Sequence, residues 1–252
     1  MKVKDMGKRN IYLLLAVILW LSACENKPDK IESWHDEAKT QMKEEYYVTS
    51  TEPEIREGKY TAYYPSGKIM EEREYVKGEL SGSQKMYDED GILKEEAGYQ
   101  NGQLHGQRII YFSNGQKEIV ETYMNGQYQG PYQSYFDNNK LREEGQYEVN
   151  VMSGVWKFYY ESGKLKEEVT FADNDENGPY KRYFENDTLA ATGAFENEKE
   201  VGPWKYYYKN GKLREEADFK DGKQKVVLIM YDEKGDTIKT ITYPPGGIPS
   251  MF

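Results

Sequence analysis

Short runs of alternating apolar and polar residues, separated by glycine, recur along residues 58–246, and the pattern returns every 24 residues. With the leading glycine of each unit taken as position zero, position five is tyrosine and position seventeen is aromatic in every unit. The units begin at residues 58, 82, 106, 130, 154, 178, 202 and 226, and the last of them begins with valine. A fixed period of this length predicts stacked supersecondary units.

Each unit predicts two strands of about six residues, which is a normal strand length, with a tight turn between them. The turn is expected at position nine, because glycine, asparagine and aspartate tolerate positive φ there. Six units have the turn glycines Gly67, Gly91, Gly115, Gly163, Gly211 and Gly235. A helix is not expected within the units, since glycine at positions zero and nine interrupts every run long enough to form one.

The fold class expected is therefore all-β: an elongated, single-layer antiparallel ribbon of about eight stacked β-hairpins. The hairpins have to stack, because an isolated hairpin is at best marginally stable in water. The fourth, sixth and eighth units depart from the pattern at Asn139, Asp187 and Val226. A bend, a bulge or a cap of the ribbon is expected at these three places.

The expected pairing within a hairpin follows from the turn. A two-residue turn would pair position six with eleven, four with thirteen and two with fifteen, which places Tyr208 against Leu213 and Trp204 against Ala217. Large residues at position two would then lie opposite small residues at position fifteen, as suits a packed face. The other face would carry tyrosine at position five, lysine or arginine at twelve and glutamate at fourteen. An error of one residue in the turn would exchange the two faces.

The spacing Y-(Y/F)-x-x-G-K-L-x-E-E-x-x-(Y/F)-x-x-G-x-x-x-G resembles the MORN repeat in its longer bacterial variant. Leu104-His105-Gly106 and Tyr99-Gln100-Asn101-Gly102 are the segments most similar to the core of that family. The resemblance covers residues 58 to about 246. It implies a β-hairpin ribbon that associates with membranes or proteins and has no shared enzymatic activity, and some bacterial members are antitoxin-like.

The N-terminus has a different pattern. Residues 1–10 contain four basic residues and one acidic residue, and an apolar run of eleven residues follows from Ile11 to Leu21. Such a run is too short to span a membrane as a helix but has the length of a signal-peptide core. Leu21-Ser22-Ala23-Cys24 resembles a bacterial lipobox, whose cysteine is lipidated and becomes the new N-terminus. We predict a signal peptide at 1–23 and lipidation at Cys24; the alternative is an unmodified thiol beside an ordinary signal sequence.

Residues 24–57 are polar and predict a lipidated tether between the anchor and the repeat array at 58–246, and residues 247–252 form a C-terminal tail. Within the tether, residues 42–47 are similar to the second strand of a unit but lack its glycines. The alternative is a short helix from Trp34 to Tyr46 that covers the first edge strand, since exposed sheet edges need cover. The acidic residues after the cysteine favour the outer membrane or the cell surface over the inner membrane.

The full chain carries a net charge of −10 at pH 7, and the predicted signal peptide removes more basic than acidic groups from it. A polyanionic surface repels phosphate backbones and anionic lipid head groups. Nucleic acid is therefore not an expected partner. Contact with the bilayer is expected through acylated Cys24, the protein or glycan partner stays unidentified, and the oligomeric state stays open.

Candidate catalytic and metal-binding residues are few. The sequence has two histidines and one cysteine, with no spacing of a catalytic triad or a zinc site. Adjacent glutamates such as Glu95-Glu96 point to opposite faces of a strand and so are not an acid–base pair. The segment Asp173–Gly178 resembles the opening of an EF-hand loop, but Phe184 stands where the bidentate glutamate is needed. Neither a cofactor nor a metal is expected, and the chain is not expected to be an enzyme.

The repeated tyrosines at position five are the candidate binding surface, because tyrosine beside polar groups makes adaptable contacts. They are Tyr63, Tyr87, Tyr111, Tyr135, Tyr159, Tyr183, Tyr207 and Tyr231. The function expected is a membrane-anchored cell-envelope lipoprotein whose ribbon is a non-catalytic scaffold for a protein or a glycan. The alternative is an antitoxin or immunity protein, whose acidic charge would suit a basic toxin. A glycan-acting enzyme ranks last, because a flat ribbon offers no deep cleft.

Overall fold

The computed structural model describes residues 27–220 and 223–242, and these form one antiparallel sheet with no helix among them. The strands are β1 (Asp29–Trp34), β2 (Met42–Thr51), β3 (Glu54–Arg56), β4 (Gly58–Tyr63), β5 (Ile69–Val76), β6 (Glu79–Leu80), β7 (Gly82–Tyr87), β8 (Leu93–Gln100), β9 (Gln103–Tyr111), β10 (Lys117–Met124), β11 (Gln127–Tyr128), β12 (Gly130–Tyr135), β13 (Leu141–Glu148), β14 (Val151–Tyr159), β15 (Leu165–Ala172), β16 (Asp175–Tyr183), β17 (Leu189–Glu196), β18 (Lys199–Tyr207), β19 (Leu213–Lys220), β20 (Lys223–Tyr231) and β21 (Thr237–Thr242).

Three strands of the sheet are interrupted. The two parts of each, β3 with β4, β6 with β7 and β11 with β12, pair along the same neighbouring strand. The 21 strands therefore occupy eighteen places across the sheet, which makes nine hairpins. The predicted all-β, single-layer antiparallel ribbon is confirmed, with one hairpin more than the eight that the glycine period indicated.

The register within a hairpin follows the prediction except beside the turn. Trp204 pairs with Ala217, so position two does lie opposite position fifteen. Leu213 pairs with Tyr207, and the predicted partner Tyr208 is wrong. The reason is that the turn has three residues: the Tyr208 carbonyl accepts the N–H of Gly211 at 2.9 Å, and the Tyr208 N–H donates to Lys212 at 2.8 Å. A three-residue turn that ends in a left-handed glycine produces this bulged geometry.

The turns of the fourth and sixth units have the same geometry as the glycine turns. Asn139 and Asp187 have φ values of 64° and 66°, against 83° for Gly67. The N–H of Asn139 donates to Phe136 at 3.0 Å, as a turn glycine does. Asparagine and aspartate adopt the left-handed conformation readily, so the turns of these two units do not depart from those of the glycine units. In the eighth unit the sheet continues through β20 and β21.

The segment from Trp34 to Tyr46, for which a short helix was an alternative, is not helical. It contributes to β1 and β2, and Ile31 pairs with Tyr46 as position two pairs with fifteen elsewhere. Tyr46 and Val48 are buried while the intervening Tyr47 is exposed, so the side chains alternate with a period of two. The sheet thus begins at Asp29, inside the segment assigned to a tether, and its first hairpin is a ninth unit without the glycines.

The two faces of the sheet differ. We call the face with positions zero, two, four, thirteen, fifteen and seventeen the packed face, and the face with positions one, three, five, fourteen and sixteen the outer face. On the packed face Trp156 and Trp204 are only 2% and 3% exposed. Each indole lies directly over a glycine of the preceding unit, Gly145 and Gly193, where an added Cβ would overlap the ring.

Aromatic rings continue on both sides of these tryptophans along the C-terminal half of the packed face. Ring centroids of neighbours in contact are 5.1–6.2 Å apart, mostly in edge-to-face arrangements. The row consists of Tyr132, Tyr147, Trp156, Phe171, Tyr180, Phe195, Trp204 and Phe219. Such pairs add about 0.5–1.5 kcal/mol each beyond the area that they bury. The row is therefore the main apolar core of this half.

The middle of the packed face is held by charges as well as by tyrosine rings. Arg108 at position two donates to both oxygens of Glu95 at 2.9 and 2.8 Å, and to Glu121 at 3.1 Å. The hydroxyls of Tyr123 and Tyr128 donate to Glu121, each at 2.9 Å. Every charge of this group has a partner, which is the condition under which charges are tolerated away from water.

Substitution of Gly145 by alanine tests the packing of ring over glycine. Gly145 is not among the residues with positive φ, so the backbone would accept alanine and only the space under Trp156 is lacking. We expect the Gly145→Ala variant to lose about 1–3 kcal/mol, the usual cost of overpacking. The midpoint of thermal unfolding, followed by circular dichroism, measures it.

The matched control is the same change in a Trp156→Ala background, where the ring is absent. There Gly145→Ala should have no destabilising effect, because alanine is better than glycine in a strand by about 0.5–1 kcal/mol. An equal loss of stability in both backgrounds would show that the ring is not the cause.

Candidate functional site

The eight position-five tyrosines lie on the outer face, one in each hairpin from the second onward. Their strands are β4, β7, β9, β12, β14, β16, β18 and β20. All eight are half-buried, not exposed. The structure therefore brings the predicted residues together as a row along the outer face, with each tyrosine partly covered by its neighbours.

Most hydroxyls of this row are bound to a glutamate of the preceding hairpin. Tyr111 donates to Glu96 at 2.7 Å, and Glu96 stands at position fourteen of the unit before. The same contact joins Tyr63 to Glu45 at 2.6 Å, Tyr87 to Glu72 at 3.0 Å, Tyr159 to Glu144 at 2.7 Å and Tyr231 to Glu216 at 3.0 Å. We call these contacts the Tyr–Glu ladder, and they tie each hairpin to the next.

Three tyrosines of the row make no ladder bond, and the sequence explains two of them; the third, Tyr183, has Glu168 at the ladder spacing but shows no hydroxyl bond. Tyr135 donates to Gln133 of its own strand at 2.9 Å, because Val120 stands where the ladder needs a glutamate. Tyr207 follows a unit with Thr192 at position fourteen, and the structure shows no hydroxyl bond for it. A ladder bond thus requires both residue types, at a spacing of fifteen within the array and of eighteen at the first hairpin, whose loop is longer.

Burial and the glutamate partner both act on the tyrosine hydroxyl. Desolvation is the larger cause and the hydrogen bond to the carboxylate is the second. Together they raise the pKa of Tyr87 and of Tyr111 to about 12. The same two causes raise the pKa of Tyr63 to about 12. The hydroxyls consequently keep their protons and act as donors throughout the neutral range.

Both rims of the sheet carry a second set of contacts between units, which the residue spacing within a hairpin does not reveal. On the turn rim, Tyr64 at position six donates to the carbonyl of Tyr87 at 2.8 Å, and Asn114 at position eight donates to the carbonyl of Asp137 at 3.1 Å. On the other rim, the N–H of Gly102 donates to Leu80 at 2.9 Å. The signal in the sequence was the recurrence of tyrosine at position six (Tyr64, Tyr160, Tyr208) and of asparagine at eight (Asn114, Asn138, Asn186, Asn210).

Position one is the accessible apolar row of the outer face. In four consecutive units it is Pro131, Val155, Pro179 and Pro203, all exposed. Lys181 and Lys205 stand beside this row at position three, and Lys205 contacts Glu216 at 3.2 Å. We call the exposed outer face of these four units the proline face. It combines apolar contact area with exposed charges that set orientation.

The depressions of the proline face are shallow. One of about 260 Å³ is lined by Pro131, Gln146 and Val155, and another of about 390 Å³ by Pro203, Lys205 and Ile229. Ligand pockets enclose most of the ligand's surface, whereas both of these depressions are open to solvent over most of their extent. These open depressions suit a broad contact more than a small molecule.

The remaining candidate chemistry is accounted for within the described residues. Asp173 and Asn174 form a turn with positive φ, and the Asn174 side chain accepts the N–H of Met152 at 2.8 Å. Among the residues at 27–220 and 223–242, no group of three His, Cys, Asp or Glu is placed to hold a metal ion. The described residues also include no helix with the length and hydropathy of a membrane span. Cys24 lies outside the described residues.

Comparison with known proteins gives one family. The model of the MORN repeat variant matches residues 56–77, 80–101, 104–125, 128–148, 152–173 and 200–221. These six stretches make up more than half of the chain, and they leave out the sixth and eighth units. No curated protein matches the sequence at a significant level.

Two solved structures align over 80% of this chain. One is described as the crystal structure of TcdB2-TccC3-Cdc42, at 12% identity and a TM-score of 0.22, and the other as that of TcdB2-TccC3, at 11% and 0.24. In each case the aligned region spans only 13% of the other, much longer chain. Similarity at this level establishes neither a shared fold nor a shared function.

Removal of one hydroxyl tests the Tyr–Glu ladder. We expect Tyr111→Phe to lower stability by about 1 kcal/mol, because a half-exposed hydrogen bond to a carboxylate is lost. Tyr183→Phe is the matched control, since the structure shows no hydroxyl bond for Tyr183. Thermal unfolding of both variants measures the difference, and equal midpoints would remove the ladder as a source of stability.

Alkaline titration tests the same contacts without mutation. In the unfolded chain a tyrosine ionises near pH ~10, whereas Tyr87 and Tyr111 in the sheet hold their protons to about 12. The raised pKa therefore contributes stability that is fully present below the unfolded value and is lost as the pH rises through the folded value. Between these two pH values we expect the unfolded fraction and the tyrosinate absorbance to increase together. Tyrosinate formation complete below this pH range, with the sheet intact, would contradict the assignment.

Proposed function

The chain belongs to the MORN repeat variant family, and on that premise we propose that it is a cell-envelope lipoprotein whose sheet is a non-catalytic scaffold for a protein partner. Lipidation of Cys24 anchors it, at the outer membrane or the cell surface. The observation that carries the proposal is the proline face, an exposed apolar row that continues through four units beside charged side chains.

The anchor is supported by the N-terminal sequence and by the start of the sheet. The basic segment, the apolar run and the lipobox-like Leu21-Ser22-Ala23-Cys24 stand in the order that a lipoprotein signal requires. Only four residues separate Cys24 from Asp29, the first residue of β1. Five residue steps from Cys24 to Asp29 span at most ~18 Å, so an anchored sheet lies close to the bilayer.

The proline face is favoured over the rest of the sheet for two reasons. The packed face buries its rings against each other, and its tryptophans are almost fully covered. The tyrosine row of the outer face has most of its hydroxyls engaged in the ladder. The residues at position one have no such role, and Val155 is 55% exposed.

The size of the proline face also suits a protein. Neighbouring hairpins are ~10 Å apart, so four units present a band roughly 30–40 Å long. A standard protein interface buries about 800 Å² on each partner, which a band of this length supplies. Lysine and glutamate at its side provide the charged rim that such interfaces have.

The experiment is crosslinking in intact envelopes followed by isolation of the chain and its partner. We expect Val155→Asp to abolish capture of the partner without lowering the unfolding midpoint. Val149→Asp is the matched control: Val149 is 57% exposed, similar to Val155, but lies in a rim turn where its φ of 50° suits aspartate. Cys24→Ser should move the chain from the membrane to the soluble fraction.

Each part of the proposal has its own contrary result. Retention of the Cys24→Ser variant in the membrane fraction would show that lipidation of Cys24 is not what anchors the chain. Equal capture of the partner by the Val155→Asp variant and by the native chain would show that the proline face does not bind it. Capture of glycan instead of protein, lost on the same substitution, would keep the surface and change the partner.

A further inference from the structure

The two ends of the sheet are open edges. Within the described residues β1 pairs only with β2, and β21 pairs only with β20. Exposed edges present unpaired N–H and carbonyl groups and are commonly blunted by charges, proline or bulges. The edge strand β21 carries a single charged residue, Lys239, and its Ile238 is 64% exposed. Among residues 27–220 and 223–242, no strand other than β20 pairs with β21, so this edge can accept another strand.

The two edge strands correspond to different halves of the repeat unit. β1 corresponds to positions zero to five of a unit, because Ile31 pairs with Tyr46 and Ser33 with Glu44. β21 corresponds to positions eleven to sixteen of the eighth unit. The sheet thus begins with the first strand of a unit and ends with the second strand of another. Since it has eighteen alternating places, β1 and β21 run in opposite directions.

Every interior junction shows how such strands pair. Where one unit meets the next, position thirteen pairs with four and fourteen with three, and at several junctions fifteen pairs with two. At one junction these pairs are Glu95–Ile110, Glu96–Ile109 and Ala97–Arg108. The C-terminal junction repeats the pattern with Ala217–Leu228. A strand added to β21 in this register would be the first strand of a further unit.

We propose that β1 of a second copy of this chain pairs with β21 and continues the sheet from one molecule into the next. The interior register then places Ser33 opposite Lys239, Glu32 opposite Thr240, and Ile31 opposite Ile241. The association is head to tail, so it leaves one free edge of each kind and forms chains of molecules. It goes beyond the proposed scaffold function and does not depend on the lipid anchor.

The side chains agree with this pairing. Ile31 and Ile241 are both half-buried and would meet on the packed face, as positions two and fifteen do elsewhere. Trp34 stands at position five and Thr240 at position fourteen, so an indole N–H and a hydroxyl replace the tyrosine and glutamate of the ladder. A cross-strand apolar pair contributes roughly 0.2–1 kcal/mol.

Charge favours this arrangement over pairing of like edges. β1 has Asp29 and Glu32 against Lys30, so it is net acidic, whereas β21 has only Lys239. Two copies of β21 in contact would bring their lysines together, and like charges across strands are destabilising. The opposite net charges of the two edges attract one another instead.

Disulfide trapping tests the register. In a full-length Cys24→Ser background, one preparation carries Glu32→Cys and a second, of different size through a tag, carries Thr240→Cys. Directly opposite residues have Cβ atoms close enough for a disulfide. We expect the mixture to give a disulfide between the two preparations under mild oxidation. Lys239→Cys in place of Thr240→Cys is the matched control, because residue 239 points to the other face.

The trapping outcomes separate the alternatives. Disulfides only between identical variants would show pairing of like edges and overturn the proposal. Equal trapping by the Lys239→Cys control would show that contact is unspecific, which also overturns it. If a disulfide formed only after deletion of residues 243–252, that segment would be what occupies the β21 edge in the full-length chain, and the proposal would be overturned.

A second measurement keeps the test independent of cysteine chemistry. Sedimentation at increasing protein concentration should show growing association of the Cys24→Ser chain. Ile241→Glu should raise the dissociation constant roughly tenfold or more, because a carboxylate would face Ile31 beside an acidic strand. Circular dichroism checks that the variant is folded. Identical sedimentation of variant and parent would overturn the proposal.

Discussion

The contact between a large side chain at position two and a small residue at position fifteen of the preceding strand governs this structure. A single-layer sheet has no second layer against which to bury its rings, so each ring has to be covered by adjacent strands. Trp156 is covered in this way by lying over Gly145 among its aromatic neighbours. The ring crosses the junction between two hairpins. One residue more or less at that junction would turn the indole to the outer face, which explains why the period of 24 holds without slip.

The contacts on the rims and on the outer face follow from the same period. Once the register between units is constant, a tyrosine at position five lies beside position fourteen of the unit before, and a glutamate there accepts its hydroxyl in five of the eight units. The rim contacts of Tyr64 and Gly102 likewise recur because every turn repeats the same geometry. Stability of such an array is a sum over nearest neighbours. A defect in one unit is therefore felt by the two units beside it.

The sequence was sufficient for the hairpins but not for all of their details. Glycine at position nine predicted a turn, yet it suits turns of two and of three residues, so Tyr208 was paired wrongly with Leu213. The first hairpin was missed because its loop is longer and has no glycine. Lys39 takes the left-handed conformation there, and the Asp36 carboxylate holds the N–H of Gln41 at 2.8 Å. The tyrosine row was predicted correctly as one face, but its occupied hydroxyls depend on contacts between units that residue spacing within a hairpin does not reveal.

Some positions of the repeat make contacts between units and others do not, and this difference determines where the amino-acid sequence of such a scaffold can vary. Positions two, five, fifteen and seventeen make the contacts between units, and a change there disturbs two neighbours at once. At position one only the backbone makes such contacts, as when the Pro131 carbonyl accepts the Thr122 hydroxyl at 2.9 Å. The side chains at this position run from Lys59 and Gln107 in the first half to valine and proline in the second. Substitutions at position one can thus create a binding surface without changing the strand register, because the side chains there take no part in the packing that sets the register. The same holds at the two edges of the sheet. Ile31 and Ile241 stand at positions two and fifteen, which make contacts between units in the interior, but at the edges, on the sides away from β2 and β20, no strand of residues 27–220 and 223–242 lies beside them.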